Sequence, residues 1–305
     1  MASLKELQNR IKSVKNTQKI TKAMQMVAAA KLRKAQDAAE KARPYGERMG
    51  AIVSNLASGM AGGGDGPQLL VGNGQSDTVL LIVATADRGL CGGFNTNIVR
   101  KAREEIVALE REGKTVKIYM IGKKGYDQLN RLYGDKFVKY VSLKEERTLH
   151  AGIAQNIGND VTEMFNNGEF DVAKLIYSEF ENVLTQNPVA RTLIPAMAAL
   201  GTEAEGADAA AEDANGPDLK GAIYTYEPDE AGILEVLLPR NINTQIFTAL
   251  LENQAGEMGS KMTAMDNATR NAGDMIDRLT LTFNRTRQAQ ITSELIEIIS
   301  GAEAL

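Results

Sequence analysis

Tryptophan is absent, and cysteine and histidine occur once each, in a chain of 305 residues. With Cys91 alone there is neither an internal disulfide framework nor a cysteine metal cluster. With His150 alone, a histidine-rich metal site and a Ser-His-Asp triad lack their parts. Aromatic residues make up only 5%. Each ring buries roughly 150–250 Å² in a core, so their scarcity suits thin helix pairs better than one thick globule. No stretch approaches the ~20 consecutive apolar residues that cross a bilayer. The opening Met1-Ala2-Ser3-Leu4-Lys5-Glu6 has no apolar signal core and no Arg/Ser-rich character. The chain is therefore expected to stay in the compartment where it is made.

Charge is present but unevenly spread. Residues 1–43 carry eleven Lys/Arg against Glu6, Asp37 and Glu40, a net +8, so with −4 overall the remainder is −12. A basic arm on an acidic body points to a partner with an acidic surface. Nucleic acid is disfavoured, because the arm has no aromatic residue before Tyr45 on which a base would stack.

The two ends read as long helices. From residue 3 to about 43 there is no Pro or Gly, and Ser3 with Glu6 forms a capping box. Leu4, Leu7, Ile11, Val14, Gln18, Thr21, Gln25, Ala28, Leu32 and Ala35 step by three and four, a heptad seam with a polar middle. A second stripe, Ile20, Met24 and Val27, is offset from it. The helix is expected to break at Pro44, resume to Leu56 and end in a flexible run, residues 59–66. The other end is helical from about Thr244 to Ser300, beyond the last proline, Pro239. Its stripe is Met258, Met262, Met265, Thr269, Ala272, Ile276, Leu279 and Phe283. Fifty-odd residues span about 80 Å. Two such helices either pair antiparallel as a left-handed coiled coil or lie separately on the central domain.

Between them strands and helices alternate. Strands are expected at 78–84, 116–121, 137–141 and 172–180, and helices at 95–111, 124–132 and 149–165. Residues 192–199 and 221–227 are candidates for further strands. This alternation predicts an α/β fold: a Rossmann-like central domain with a mostly parallel sheet, flanked by the coiled coil of the terminal helices. The expected divisions are 1–58, 77–230 and 240–305. Within the middle one, residues 201–217 carry five acids and no base and read as a disordered insert.

Candidate chemistry is sparse. Asp87-Arg88-Gly89-Leu90-Cys91-Gly92-Gly93-Phe94-Asn95 follows the first strand, where a phosphate cradle would sit. Its spacing fits neither Gly-x-Gly-x-x-Gly nor Gly-Lys-Ser/Thr, so a tight strand-to-helix turn is the plainer reading. Cys91 has no neighbouring base to make it a nucleophile. Adjacent acids such as Glu104-Glu105 and Glu145-Glu146 point to different helix faces and read as solvated charge.

Residues 291–304, beginning Ile291-Thr292-Ser293-Glu294 and ending Gly301-Ala302-Glu303-Ala304, resemble the C-terminal signature of the gamma subunits of F-type ATP synthases. Asn16 to Lys31 is similar to that family's N-terminal helix, Asp87 to Asn95 to its central segment, and Tyr226-Glu227-Pro228-Asp229 to a further element. The acidic insert is longer and richer in alanine than the family pattern.

The resemblance implies a non-catalytic rotor without cofactor or metal, turning inside a ring of three alpha and three beta subunits. It implies a foot on the epsilon subunit and the proton-driven c-ring, at the cytoplasmic face of a bacterial inner membrane and without insertion into it. By the same resemblance Lys22, Met24, Lys31, Asp87, Cys91, Arg287, Gln288 and Thr292 face beta subunits. Ile291, Leu295, Ile298 and Ile299 form a bearing in the ring, and Tyr224, Tyr226 and Glu227 belong to the foot. The rival reading is a nucleotide-binding Rossmann-like enzyme whose helical arms serve dimerisation.

Overall fold

A computed structural model describes residues 3–60, 66–146, 148–198 and 230–303. They form two compact units. One joins residues 1–30 to 261–305, and the other comprises 31–260.

In the larger unit five strands lie in the order β3-β2-β1-β4-β5. These are β1 (Thr78–Ala84), β2 (Thr115–Ile121), β3 (Phe137–Val141), β4 (Val172–Phe180) and β5 (Gln186–Ile194). The pairings β1–β2, β1–β4 and β2–β3 are parallel, with Thr78 opposite Thr115 and Val79 opposite Val172. β5 runs antiparallel to β4. The candidate strand at 192–199 is thus β5 displaced toward the N-terminus. β5 contains Pro188, and an edge strand tolerates its missing N–H. The candidate at 221–227 lies outside the described residues, as does the acidic insert.

β1 is buried on both faces, which is why it reads as a continuous run, Val79-Leu80-Leu81-Ile82-Val83-Ala84. Its odd-numbered residues pack with α3 (Phe94–Arg111) and Leu129 of α4 (Lys123–Tyr133). Its even-numbered residues pack with α5 (Ala151–Asn166) and with Ile242, Ile246, Ala249 and Leu250 of α6 (Glu230–Glu303).

Both terminal helices run further than proline placement predicts. α1 (Leu4–Met60) passes through Pro44, and α6 begins before Pro239 and includes it. An interior proline removes one backbone hydrogen bond and crowds the preceding turn, a cost of about 3 kcal/mol. Here apolar anchors on both sides of each proline hold the helix in phase. They are Leu32 and Ala35 before Pro44 and Met49, Val53 and Leu56 after it, with Leu234 and Leu238 before Pro239 and Ile242 after it. Val53, Leu56, Leu234 and Leu238 share a small core with Leu70 of α2 (Gln68–Val71), a short helix with no periodicity to betray it. At the start of α1, Ser3 Oγ accepts the Glu6 N–H at 3.2 Å, the cap that the capping box predicts.

Candidate functional site

In the smaller unit the first part of α1 and the distal part of α6 pair antiparallel. The seam is narrow. Leu7, Ala28, Met265 and Ala272 are buried, while its middle is polar. The Thr21 and Thr269 hydroxyls meet at 2.8 Å, and Gln25 Nε2 donates to Asp266 Oδ1 at 2.9 Å. Gln18 Nε2 donates weakly to the Thr269 carbonyl at 3.5 Å and lies where Gly273 has no Cβ to oppose it. Polar pairs in a helical seam fix register at a cost in stability. Facing residues number 21 with 269, 25 with 266 and 18 with 273, so each pair totals 290 or 291. That register sets Leu4 opposite residues 286–287.

Beyond that point α6 has no α1 residue left to meet. Every residue from Arg287 to Ser300 is exposed. Arg287 and Gln288 open this stretch, and Thr292 donates its hydroxyl to the Gln288 carbonyl at 2.9 Å. Ile291, Leu295, Ile298 and Ile299 are 49%, 53%, 69% and 54% exposed, a concentration of bare aliphatic surface that soluble chains avoid.

On α1, Lys22 is exposed and donates to Gln25 Oε1 at 3.0 Å, and Met24 is half-buried beside the seam. Lys31 is also exposed, but it opens the larger unit. The stripe containing Ile20 and Val27 faces solvent, as does Met26. Sequence reasoning missed Met275 and Leu281, which are also exposed. The available signal was their position off the heptad seam of a charged helix.

The turn after β1 is built from within. Lys123 N and Ser142 Oγ donate to Asp87 Oδ1, each at 2.9 Å, and Leu143 N donates to Oδ2 at 2.8 Å. Asp87 therefore ties the ends of β1, β2 and β3 together. Cys91 is buried and accepts from Asn95 Nδ2 at 3.2 Å, while Asn95 Oδ1 accepts the Ala86 N–H. What this turn offers a neighbouring molecule is Arg88 and Leu90. Leu90 is 63% exposed and held at φ +64°, a left-handed conformation unfavourable for a branched side chain. Tyr224, Tyr226 and Glu227 lie outside the described residues.

A doubly wound sheet binds ligands where successive connections diverge, here between the carboxyl ends of β1 and β4. α6 crosses that place. A Cβ on Gly256 would stand 2.9 Å from the Phe94 ring, and one on Gly259 would stand 3.5 Å from the Val183 carbonyl and 3.6 Å from the Phe180 ring. Asn253 Oδ1 accepts the buried Ser178 N–H, and Ser260 donates to Gln186 Oε1 at 2.6 Å. The two interior glycines of α6 are the condition of this approach. The crevice in which the rival nucleotide-binding reading would seat its ligand is thus filled by the chain's own helix. Among the described residues no three His, Cys, Asp or Glu converge as a metal site, and no helix is long and apolar enough to cross a membrane.

Residues 3–305 match the sequence family described as ATP synthase. The chain is 60% identical over 305 residues to the ATP synthase gamma chain of Maricaulis maris and 58% identical over 305 residues to that of Sinorhizobium medicae. All of both chains is covered in each comparison. Among solved structures, a chain of the Euglena gracilis mitochondrial ATP synthase, solved as OSCP/F1/c-ring in rotational state 3, superposes with a TM-score of 0.64 at 20% identity. That match covers 99% of this chain and 94% of the other. A chain of the rotor of the same organism's enzyme, in rotational state 1, gives 0.62 at 17% identity, over 94% and 98%. At such identities the structural likeness speaks for the fold.

Proposed function

Since the chain belongs to the family of ATP synthase gamma chains, we propose that it is the rotor of the central stalk and has no active site of its own. Proton flow through a c-ring turns it within three alpha and three beta subunits. Each angle favours a different beta conformation, so rotation moves the beta subunits through binding, synthesis and release of ATP. Hydrolysis drives the same cycle backward as proton pumping. An epsilon subunit and the c-ring hold the foot, with Tyr224, Tyr226 and Glu227 assigned there. The complex sits at the cytoplasmic face of a bacterial inner membrane, and this chain is peripheral to the bilayer.

One observation carries the reading. The α1–α6 register ends near residue 287, and the exposed stretch beyond it carries Ile291, Leu295, Ile296, Ile298 and Ile299 bare. A side chain such as Ile298 forms no directional bond, so an apolar sleeve around it resists no particular angle. Ile291, Leu295, Ile298 and Ile299 are accordingly the bearing, with Arg287, Gln288 and Thr292 contacting beta subunits just below them. Lys22, Met24 and Lys31 face moving beta segments through weak, screened contacts. Asp87 and Cys91 act indirectly, by holding Arg88 and Leu90 toward a beta subunit.

Engineered cysteine pairs test the register. Leu7 lies opposite residues 283–284, so a Leu7→Cys, Phe283→Cys pair closes on mild oxidation. A Leu7→Cys, Ile298→Cys pair does not, because about fourteen residues at 1.5 Å each separate the partners by roughly 21 Å. Ready closure of the second pair would dispose of the free tip and of the bearing. Coupling is tested by Met24→Lys, expected to lower proton pumping relative to ATP hydrolysis in membranes while the complex still assembles. An unchanged ratio counts against a beta contact at this position. The purified chain alone is expected to turn over no ATP.

A further inference from the structure

Between α1, the β4–β5 half of the sheet and α6, all within residues 31–260, lies a cavity of about 510 Å³. Volumes of roughly 300–1,000 Å³ hold small organic ligands. The space exists because α1 presents small residues to it. A Cβ on Gly50 would meet nothing within 4 Å, and one on Gly46 would meet only Thr244 and Thr248, at 3.8 and 3.7 Å. Opposite, α6 contributes the polar row Asn241, Gln245, Thr248 and Glu252, spaced to share one helix face, and Leu175 and Leu193 add an apolar floor.

Asn241 is the informative member. It is only 5% exposed, lines the cavity, and its side-chain amide hydrogen-bonds to no described residue. A buried amide normally has partners on both its donor and its acceptor side. The charges on the walls are balanced, Arg43 and Arg191 against Glu47 and Glu252, and Arg191 is already paired with Glu179 at 2.8 Å. Burial, and then the nearby Glu179, push the Glu252 carboxyl above its ordinary range against the pull of Arg191, the Phe180 N–H and Arg43. Glu252 Oε2 is itself buried without a hydrogen-bond partner among the described residues, and with the wall charges balanced in sign a neutral ligand adds no uncompensated charge.

We propose that this cavity is a binding site for a small neutral molecule bearing a carboxamide or ring lactam on a flat apolar body, with Asn241 as its recognition residue. A carboxamide offers a donor and an acceptor side by side and pairs with the Asn241 amide through two antiparallel hydrogen bonds. The apolar body lies against Leu175 and Leu193. The site is independent of the rotor role, since no residue of the distal α6 tip contributes to it.

The test uses nicotinamide and nicotinate, two probes of one shape that differ in the donor and the charge. Each is titrated into the full chain at neutral pH and followed by ligand-observed NMR. Nicotinamide is expected to bind saturably and nicotinate at least about tenfold more weakly, as the loss of one hydrogen bond implies. Asn241→Leu should weaken nicotinamide by about tenfold or more. Gly50→Leu should abolish binding by filling the space while raising the unfolding temperature, because leucine favours a helix interior over glycine. Absence of saturable binding would mean a cavity holding solvent only and would overturn the proposal. So would equal affinity for the two probes, or binding that survives in a folded Gly50→Leu chain.

Discussion

The parallel sheet and the far end of α6 lie in the same chain under opposite rules. In β1 every residue from Val79 to Ala84 is at most 1% exposed, and neighbours on two faces determine each side chain. From Arg287 to Ser300 every residue is exposed, yet Ile291, Leu295, Ile296, Ile298 and Ile299 are side chains of the kind that fill a core. The first segment encodes its own fold. The second encodes an exposed surface with no complement among the described residues. Hydrophobicity alone does not distinguish them, and register does. The sheet residues have partners opposite them, and the α6 tip outruns the helix that pairs with it.

Substitutions of graded severity probe this contrast. The largest effect is expected at Gly122, which has φ +92° and where a Cβ would collide with the Thr85 carbonyl oxygen. Gly122→Ala should cost about 3 kcal/mol or more, read as a fall in the thermal midpoint of the full chain. A smaller loss would mean that the sheet ends are softer than their burial indicates.

Asp171 comes next. Burial alone would raise its carboxyl pKa, but hydrogen bonds from Asn73 and from the Thr78 and Asp77 amides outweigh burial and hold it below the ordinary range. A depressed pKa stabilises the fold at neutral pH, and that stability is lost as pH falls through the folded-state value. Asp171→Asn should therefore lower the midpoint near pH 7 by the equivalent of about 1–3 kcal/mol. The gap from the unsubstituted chain should narrow below about pH 4. A gap independent of pH would assign the effect to shape and not to charge.

In the α1–α6 seam the expected change is smaller. Replacing Thr21 and Thr269 together by valine removes both hydroxyls of one pair and leaves neither stranded, so stability should move by less than about 1 kcal/mol. A loss above about 2 kcal/mol would mean that the outer pair is specified as tightly as the sheet. The smallest effect is predicted at the tip. Ile298→Ser should leave the midpoint of the isolated chain within about 0.5 kcal/mol of its starting value, as exposed positions do. If it also leaves the pumping-to-hydrolysis ratio of the assembled enzyme untouched, the tip has no complement at this position.

Much of this was legible before any coordinates. The continuous apolar run from Val79 to Ala84 placed β1, and the heptad stripe from Leu4 to Ala35 gave the seam with its polar centre. Prolines misled twice. Pro44 and Pro239 read as helix limits because a local rule sees the missing N–H and not the buried anchors on either side. β5 lies N-terminal of its candidate range and contains Pro188, a residue tolerated only at an edge, and edge position is a property of the sheet. Among the site residues, Ile291, Leu295, Ile298 and Ile299 were singled out through the family resemblance, and they are exposed. Cys91 was expected to face a beta subunit and is buried instead, while Leu90 as the exposed residue of the turn was not expected, because a left-handed φ at leucine leaves no mark in the sequence. Asn241 carried no signal, as an asparagine in a helix is conspicuous only when its partners are known to be missing.

Gly256 and Gly259 have a consequence beyond packing. In most sheets of this architecture the gap between diverging strands is a mouth, open to whatever diffuses in. Here it works as a vice. The helix that enters it is gripped by a ring on one side and a hairpin carbonyl on the other, with Asn253 and Ser260 preventing slip along the axis. A bulky residue at position 256 would pry the jaws apart without uncovering a vacant site. The crevice that sheets of this architecture leave open is thus closed from within, and the same contacts anchor α6 to the sheet.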